Sequence, residues 1–176
     1  EDLSAFFFDI RKDSLYCDAA DDPKRMAYRT LLDTLFHALV RWAAPVLVFT
    51  SEEVWGMRYP EGGSVHLLEW PEVPQGVVAT ANWDALRQLR TTVTEAIEPL
   101  RRDKVVGSSL QVEVSLPEAD QSADLAELFI TGPVRHADTL TVAKSELNKC
   151  GRCWRHLPEV TEDGDLCDRC EGVVHG

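Results

Sequence analysis

The stretch Cys150-Gly151-Arg152-Cys153, followed by thirteen residues and then by Cys167-Asp168-Arg169-Cys170, decides how the chain is interpreted. Each Cys-x-x-Cys turn can direct two thiolates at one centre, and two such turns supply the four soft ligands of a tetrahedral Zn²⁺ site. Because four thiolates leave no coordination position open, the sequence predicts one structural zinc. Its predicted ligands are Cys150, Cys153, Cys167 and Cys170.

Other uses of these cysteines are less consistent with the sequence. Two disulfides would require an oxidising compartment, and the start, Glu1-Asp2-Leu3-Ser4, lacks the basic region of a secretory signal. A redox Cys-x-x-Cys is usually single and lies beside a βαβ unit. His156 could replace one thiolate as a ligand. The fifth cysteine, Cys17, is interpreted as a small buried hydrophobic residue rather than a nucleophile.

The side chains around the cysteines suggest a binding surface. Trp154 and Arg155 follow the second cysteine, and Arg152 and Arg169 lie inside the two turns. Aromatic and guanidinium groups on a small rigid scaffold suit base stacking and phosphate contact. The alternative is that Trp154 packs beneath the zinc knuckle, the name used here for residues 147–176.

Length and charge limit the classes of function. The chain has 176 residues, is 44% hydrophobic, and contains no run of about eighteen apolar residues that could span a membrane. Its net charge of −12 argues against non-specific nucleic-acid binding, so any polyanion has to be met by local basic groups. The chain starts without Met and is interpreted as part of a longer, cytoplasmic protein, expected to be monomeric and without membrane contact.

Two long helices are predicted from apolar residues at spacings of three and four. The first covers 24–43, and the second covers 82–103 with Asn82 as its N-cap. A helix end is expected over 3–12, largely buried because three phenylalanines are adjacent there. An Asp-rich loop should follow over 13–22.

The segment after the first long helix has several local signals. Thr50-Ser51-Glu52-Glu53 resembles a capping box and predicts a short helix that ends at Gly56. Residues 58–81 are rich in Pro and Gly and are interpreted as a connector. Within it, the stretch from Val65 to Leu68 is expected to be extended, and Trp70 is expected to pack back onto the helices.

The apolar period changes to two after Ser109. A half-buried strand is predicted over 110–116, followed by a helix over 121–130 and a strand near 138–143. We therefore expect three domains. Their predicted limits are 1–104 for a helical bundle, 105–146 for a small α/β part and 147–176 for the zinc knuckle.

Four strings of the chain, in the same order, resemble bacterial isoleucyl-tRNA synthetases. The first two resemble the anticodon-binding helical domain and the last two the carboxy-terminal segments. The strings are Leu3-Ser4-Ala5-Phe6-Phe7-Phe8-Asp9-Ile10-Arg11-Lys12-Asp13, Arg41-Trp42-Ala43-Ala44-Pro45 with Phe49-Thr50-Ser51-Glu52-Glu53-Val54-Trp55, Val105-Val106-Gly107-Ser108-Ser109-Leu110, and Lys149-Cys150-Gly151-Arg152-Cys153-Trp154.

This resemblance implies a mainly α fold, with a helical bundle of the class I synthetase anticodon-binding type, a small α/β part and a four-cysteine zinc knuckle. Enzymes of the family activate isoleucine with ATP, transfer it to its tRNA and hydrolyse mischarged valine in an editing domain. Their signatures His-Ile-Gly-His and Lys-Met-Ser-Lys-Ser do not occur in this sequence. The chain alone is therefore expected to be inactive, with ATP bound only by the absent catalytic domain.

The resemblance also implies partners and contact residues. The expected partners are isoleucine tRNA and the catalytic and editing domains of the same parent chain. Family position and side-chain chemistry together suggest tRNA contacts at Arg11, Lys12, Arg41, Trp42, Trp154 and Arg155.

Two other functions compete with tRNA binding. DNA-repair glycosylases carry a similar four-cysteine finger, but they need an amino-terminal catalytic proline and a basic helix-two-turn-helix, and neither is visible here. The second alternative is a purely structural zinc module that fixes the carboxy terminus to the rest of the chain. It is compatible with tRNA binding elsewhere, and the acidic net charge favours it.

Overall fold

A computed structural model describes residues 2–72, 81–117 and 124–176. The chain divides into two compact units, one formed by Glu1–Asp22 with Ala81–Gly176 and the other by Pro23–Thr80. This grouping differs from the three consecutive domains expected from the sequence. The limits given for those three domains remain a prediction.

The first unit begins with a π-helical turn over Asp2–Phe7, which continues into α1 (Phe8–Cys17). The long helix α4 (Trp83–Arg102) starts as predicted, because the side chain of Asn82 accepts a hydrogen bond from the backbone N–H of Ala85. One face of α4 is buried and the rest carries charged and polar groups.

A three-stranded sheet lies beside these helices, in the order β2-β1-β3. Strand β1 (Val112–Leu116) pairs in parallel with β2 (Val134–His136) and antiparallel with β3 (Thr141–Lys144). A short helix, α5 (Leu125–Phe129), precedes β2, and α6 (Asp168–Val174) lies in the zinc knuckle.

One hydrophobic core joins α1, α4, β1 and α5. Val112, Val114 and Leu116 are fully buried, as expected for alternate residues of a strand with one inward face. The other buried members are Ile10, Leu86, Val93, Ile97, Val106, Leu125, Leu128 and Phe129. Helix α1 is thus fixed to the same core as the sheet, although about a hundred residues separate them in sequence.

The second unit contains α2 (Pro23–Ala43) and α3 (Val48–Arg58), with a 3₁₀ turn over Val65–Leu67. Its core consists of Val40, Ala44, Trp55 and Val65. The mainly helical fold with a small sheet and a four-cysteine cluster confirms the predicted fold class. Among the described residues, no helix is long and apolar enough to cross a membrane.

Two predictions about the first helix are wrong. Helix α1 does not end near residue 12 but continues to Cys17, because Ser14 and Cys17 face inward and are buried. The phenylalanines at 6–8 are only half-buried. The ring of Phe6 packs edge-on against Trp83 and lies beneath the guanidinium of Arg87, so one side remains accessible.

Three predictions about the second unit are also wrong. Helix α3 begins at Val48, so the supposed capping box lies inside the helix. Glu52 instead accepts hydrogen bonds from the hydroxyl of Ser64 and the N–H of Val65. Those bonds hold residues 65–67 in a 3₁₀ turn rather than an extended piece, and Trp70 is largely exposed.

Candidate metal centre and nucleic-acid interface

The four predicted thiols meet at one point in the zinc knuckle. Their sulfur atoms all lie within 4.8 Å of one another, and all four residues are buried. A tetrahedral site with Zn–S bonds of roughly 2.3 Å places neighbouring sulfurs about 3.8 Å apart. The Sγ atoms of Cys153 and Cys167 are 3.8 Å apart. The donor set and its dimensions therefore fit one tetrahedral metal ion, and soft thiolates suit zinc.

Local backbone contacts bring the two turns together. Lys149 and His156 form a β-bridge around the first turn. Gly151 donates its N–H to the carbonyl of Asp165, and a Cβ at residue 151 would meet the carbonyl oxygen of Gly164 at 2.3 Å. Only glycine permits this close approach of the two segments. The second turn overlaps the start of α6, and Cys167 is the N-cap of that helix.

The surroundings affect the four thiols differently. Burial acts to raise the pKa of Cys150, but backbone N–H groups, including those of Cys153 and Cys167, lower it to about 6. Burial raises the pKa of the other three thiols above its ordinary value. Since metals bind thiolates, the charge of a bound ion has to offset the free-energy cost of deprotonating these buried thiols.

His156 does not belong to this group of sulfur ligands. Its Nδ1 lies 2.5 Å from the carbonyl oxygen of Leu147 and donates to it, which fixes the ring against the segment between β3 and the first turn. The histidine thus contributes to the fold of the knuckle, and the four thiols supply a complete set of ligands without it.

Arg152 and Arg169, the arginines inside the turns, contact helix α1. Arg152 donates to the carbonyl oxygens of Tyr16 and Cys17, and Arg169 donates to a carboxylate at the end of the same helix, that of Asp13. Sequence reasoning assigned the arginines to phosphate contact and missed these partners. In the sequence, the one indication of these contacts is that the acidic segment at 13–22 could pair with the arginines of the two cysteine turns.

A cavity of about 330 Å³ lies between α1, α5 and the zinc knuckle. Three of the six predicted tRNA contacts, Lys12, Trp154 and Arg155, line it. Its walls are mainly apolar, with Tyr16 also present. Cys17 lies in the same wall, where burial, aided by the charge of Asp13, raises the pKa of its thiol to about 12. A thiol in this state remains protonated and is a poor nucleophile.

The predicted tRNA contacts in the first unit differ in whether their side chains are exposed or already paired with another residue of the chain. Trp154 is 64% exposed and its backbone lies in the left-handed region, with a φ of 65°. Lys12 is exposed and pairs with Asp9 at 2.7 Å. Arg11 instead donates to the largely buried carboxylate of Glu127 at 2.8 Å. A phosphate at Arg11 would therefore have to compete with an existing ion pair.

The other two predicted contacts lie on α2, in the second unit. Trp42 is 42% exposed. The guanidinium of Arg41 lies 6.0 Å from the ring centre of Trp55, and its Nε is buried with no hydrogen-bond partner among the described residues. Trp42 is therefore accessible to a partner. Part of the Arg41 side chain, in contrast, is buried in the core of the second unit.

Two family models match the chain. The model described as the anticodon-binding domain of tRNA ligase matches residues 1–116. The model described as the zinc finger found in FPG and IleRS matches residues 148–172, which include all four cysteines. Together with the sulfur geometry, the second match supports a single structural zinc.

Curated relatives agree with these models. Isoleucine–tRNA ligases from Zymomonas mobilis subsp. mobilis, Gluconobacter oxydans and Ruegeria pomeroyi are 54%, 45% and 43% identical, each over 98% of this chain. The chain spans about a fifth of the length of these relatives, 20%, 20% and 21% respectively. The matches therefore support the synthetase interpretation and not the DNA-repair glycosylase alternative.

Proposed function

Since the chain belongs to the anticodon-binding domain family of tRNA ligases, we propose that it is the anticodon-side tRNA-binding part of an isoleucine–tRNA ligase. The match of the anticodon-binding model over residues 1–116 carries this proposal. The parent enzyme attaches isoleucine to its tRNA with ATP, in the cytoplasm and as a monomer. The partners of this part are isoleucine tRNA and the catalytic and editing domains of the same chain.

In this proposal, Lys12, Trp154 and Arg155 form the main tRNA contact in the first unit. All three line one cavity, which gives a stacking surface and cationic groups to the same short stretch of RNA. Lys12 and Arg155 are the cationic side chains of this contact, on a chain whose net charge is −12, and they share the cavity with the carboxylates of Asp9, Asp13 and Glu127. Arg11, Arg41 and Trp42 are further candidates, proposed from their place in the sequence.

The zinc has a structural role in the same proposal. Cys150, Cys153, Cys167 and Cys170 hold it, and no further donor is needed. A metal bound by four thiolates has no open position for a substrate, so it folds the knuckle and orients Trp154 rather than taking part in a reaction. This division separates the metal ligands from the residues that touch RNA.

Binding of isoleucine tRNA, compared with binding of a DNA duplex containing an abasic site, tests this proposal. We expect the chain to bind the tRNA more tightly and with a strong dependence on salt, because the contact with phosphates releases counterions. Tighter binding of the abasic duplex would favour the glycosylase-tail alternative. Binding of neither at low salt would favour a purely structural zinc module.

We predict that the isolated chain does not activate isoleucine. The strings His-Ile-Gly-His and Lys-Met-Ser-Lys-Ser, which mark the catalytic site in the synthetases it resembles, do not occur in its sequence. Isoleucine-dependent exchange of pyrophosphate into ATP measures this step, with a full-length isoleucine–tRNA ligase as the positive control. Exchange by the pure chain above a blank without isoleucine would contradict the prediction.

A further inference from the structure

The two arginines of the cysteine turns occupy equivalent positions and make crossed contacts. Arg152 and Arg169 each stand immediately before the second cysteine of their own turn. Arg152 donates to the sulfur of Cys170 at 3.5 Å, and the positive charge of Arg169 lies near enough to Cys153 to favour its thiolate. Each guanidinium thus lies near a metal-binding thiol of the opposite turn, and that of Arg152 is hydrogen-bonded to it.

The same two guanidinium groups also hold the end of α1. Arg169 donates through two nitrogens to both carboxylate oxygens of Asp13, at 2.7 and 3.2 Å, and to Asp18 at 2.8 Å. Arg152 donates to the backbone carbonyl of Cys17 at 2.6 Å. A fork-shaped pair of this kind fixes both direction and distance, since the guanidinium and the carboxylate are planar.

These ion pairs are partly shielded from solvent: the side chains of Arg169 and Asp13 are 31% and 32% exposed, and Asp18 is the most buried member. The side chain of Asp18 is only 10% exposed, and it accepts a further hydrogen bond from the hydroxyl of Ser14, which is itself buried. Burial alone would raise the pKa of Asp13, but the adjacent Arg169 holds it below its ordinary value. An arginine withdrawn from this position would leave two carboxylates close together and without their cation.

The two arginines also bear on the charge of the metal centre. Four thiolates around a Zn²⁺ ion carry a net charge of −2, and the two guanidinium groups beside the sulfurs supply +2. Hydrogen bonds from such outer groups set the position and basicity of metal ligands. The arginines therefore lie between two acidic partners, the sulfur cluster and the end of α1.

We propose that Arg152 and Arg169 couple metal binding by the four cysteines to the docking of residues 13–18 of helix α1. The metal fixes the turns, the turns orient the two guanidinium groups, and these hold the helix end. Asp13, Cys17 and Arg152, which take part in these contacts, also line the cavity that Lys12 and Trp154 line. The proposal concerns metal binding and helix docking, and it does not depend on tRNA binding.

The first test measures the zinc dissociation constant by competition with a chelating indicator. Outer-shell changes typically weaken metal affinity by about ten- to a hundredfold, and this is the effect expected for Arg169→Gln. The matched control is Arg135→Gln, which removes an arginine paired with Glu113 on the sheet and should leave the constant unchanged. Equal constants for Arg169→Gln and the unsubstituted protein would overturn the proposal.

Asp13→Asn distinguishes coupling from a direct effect on the thiolates. Asp13 lies 156 positions before Arg169 and is not part of the sulfur cluster. If the helix end and the metal site are coupled, this variant should also weaken zinc binding, by several-fold. An unchanged constant would mean that Arg169 acts on the thiolates alone, and the coupling would be wrong.

Hydrogen exchange at the end of α1 gives a second test. It uses the unsubstituted protein, so the result does not depend on whether a variant folds. Removal of zinc with a chelator should increase exchange of the backbone N–H groups of residues 14–18, while those in the core of α4 remain protected. The backbone N–H of Asp18, which bonds to the carbonyl of Ser14, is a convenient reporter. Unchanged protection of residues 14–18 after metal removal would also overturn the proposal.

Discussion

One zinc ion per chain is expected in protein purified without added metal. The reason is geometric, because four buried thiols lie within 4.8 Å of one another and match the spacing of a tetrahedral thiolate site. Zinc-finger peptides gain about 10–16 kcal/mol from such a metal, so the ion should persist through purification. Elemental analysis together with a free-thiol assay measures this directly.

Cys153→Ser should remove the zinc and loosen residues 148–176. The cores around Val114 and Trp55 should stay folded, since both are separate from the cysteine cluster. Cys17→Ala is the matched control, because it removes the one cysteine outside the ligand group and should retain the metal. Absence of zinc from the unsubstituted protein, with two disulfides in its place, would contradict the account.

Trp154→Ala should weaken the binding of isoleucine tRNA by about ten- to a hundredfold. The indole is 64% exposed beside a cavity that also presents Lys12 and Arg155, and a stack of one base on an aromatic side chain contributes roughly 1–3 kcal/mol. The zinc content should not change, since Trp154 is not a ligand. Filter binding at one fixed ionic strength, with zinc analysis of the same sample, measures both quantities.

Trp70→Ala provides the matched control for this variant. Trp70 is 67% exposed, close to the value for Trp154, but it belongs to the second unit and no tRNA contact is proposed for it. Its removal should leave the tRNA dissociation constant within about twofold. Should both tryptophan variants bind like the unsubstituted protein, Trp154 has a structural role and the assignment of the contact residues is wrong.

Regular local patterns allowed the strongest predictions from the sequence. Helices α2 and α4 follow from apolar periodicity, the start of α4 from Asn82, and strand β1 from alternation around Val114. The metal ligands follow from spacing alone, because a Cys-x-x-Cys turn carries its own geometry. In each case, neighbours in sequence are also neighbours in space.

Features that depend on distant contacts were not predicted. Helix α1 extends to Cys17 because its last turn packs on and pairs with the zinc knuckle, which lies more than 130 positions away. Strand β2 is only three residues long and exists through its parallel pairing with β1. The true role of Glu52, as an acceptor for residues 64 and 65, likewise requires the folded connector.

Position along the chain also gave no information about the partners that the proposed contact residues already have. Arg11, at the supposed end of a helix, lies within α1 and is paired with Glu127, which belongs to α5. Arg152 and Arg169 share the chemistry of a phosphate-binding group, but both donate to the end of α1, and Arg152 also donates to the thiol of Cys170. Side-chain type can indicate what a group is able to bind, and only the fold decides which partner reaches it first.

Binding of isoleucine tRNA and of its anticodon variants, in a gel shift at one stated salt concentration, tests the central claim most directly. The claim is that this chain contacts the anticodon side of that tRNA. The account predicts a weak, salt-sensitive complex with isoleucine tRNA that is further weakened when anticodon bases are replaced. Equal binding of all anticodon variants would contradict it.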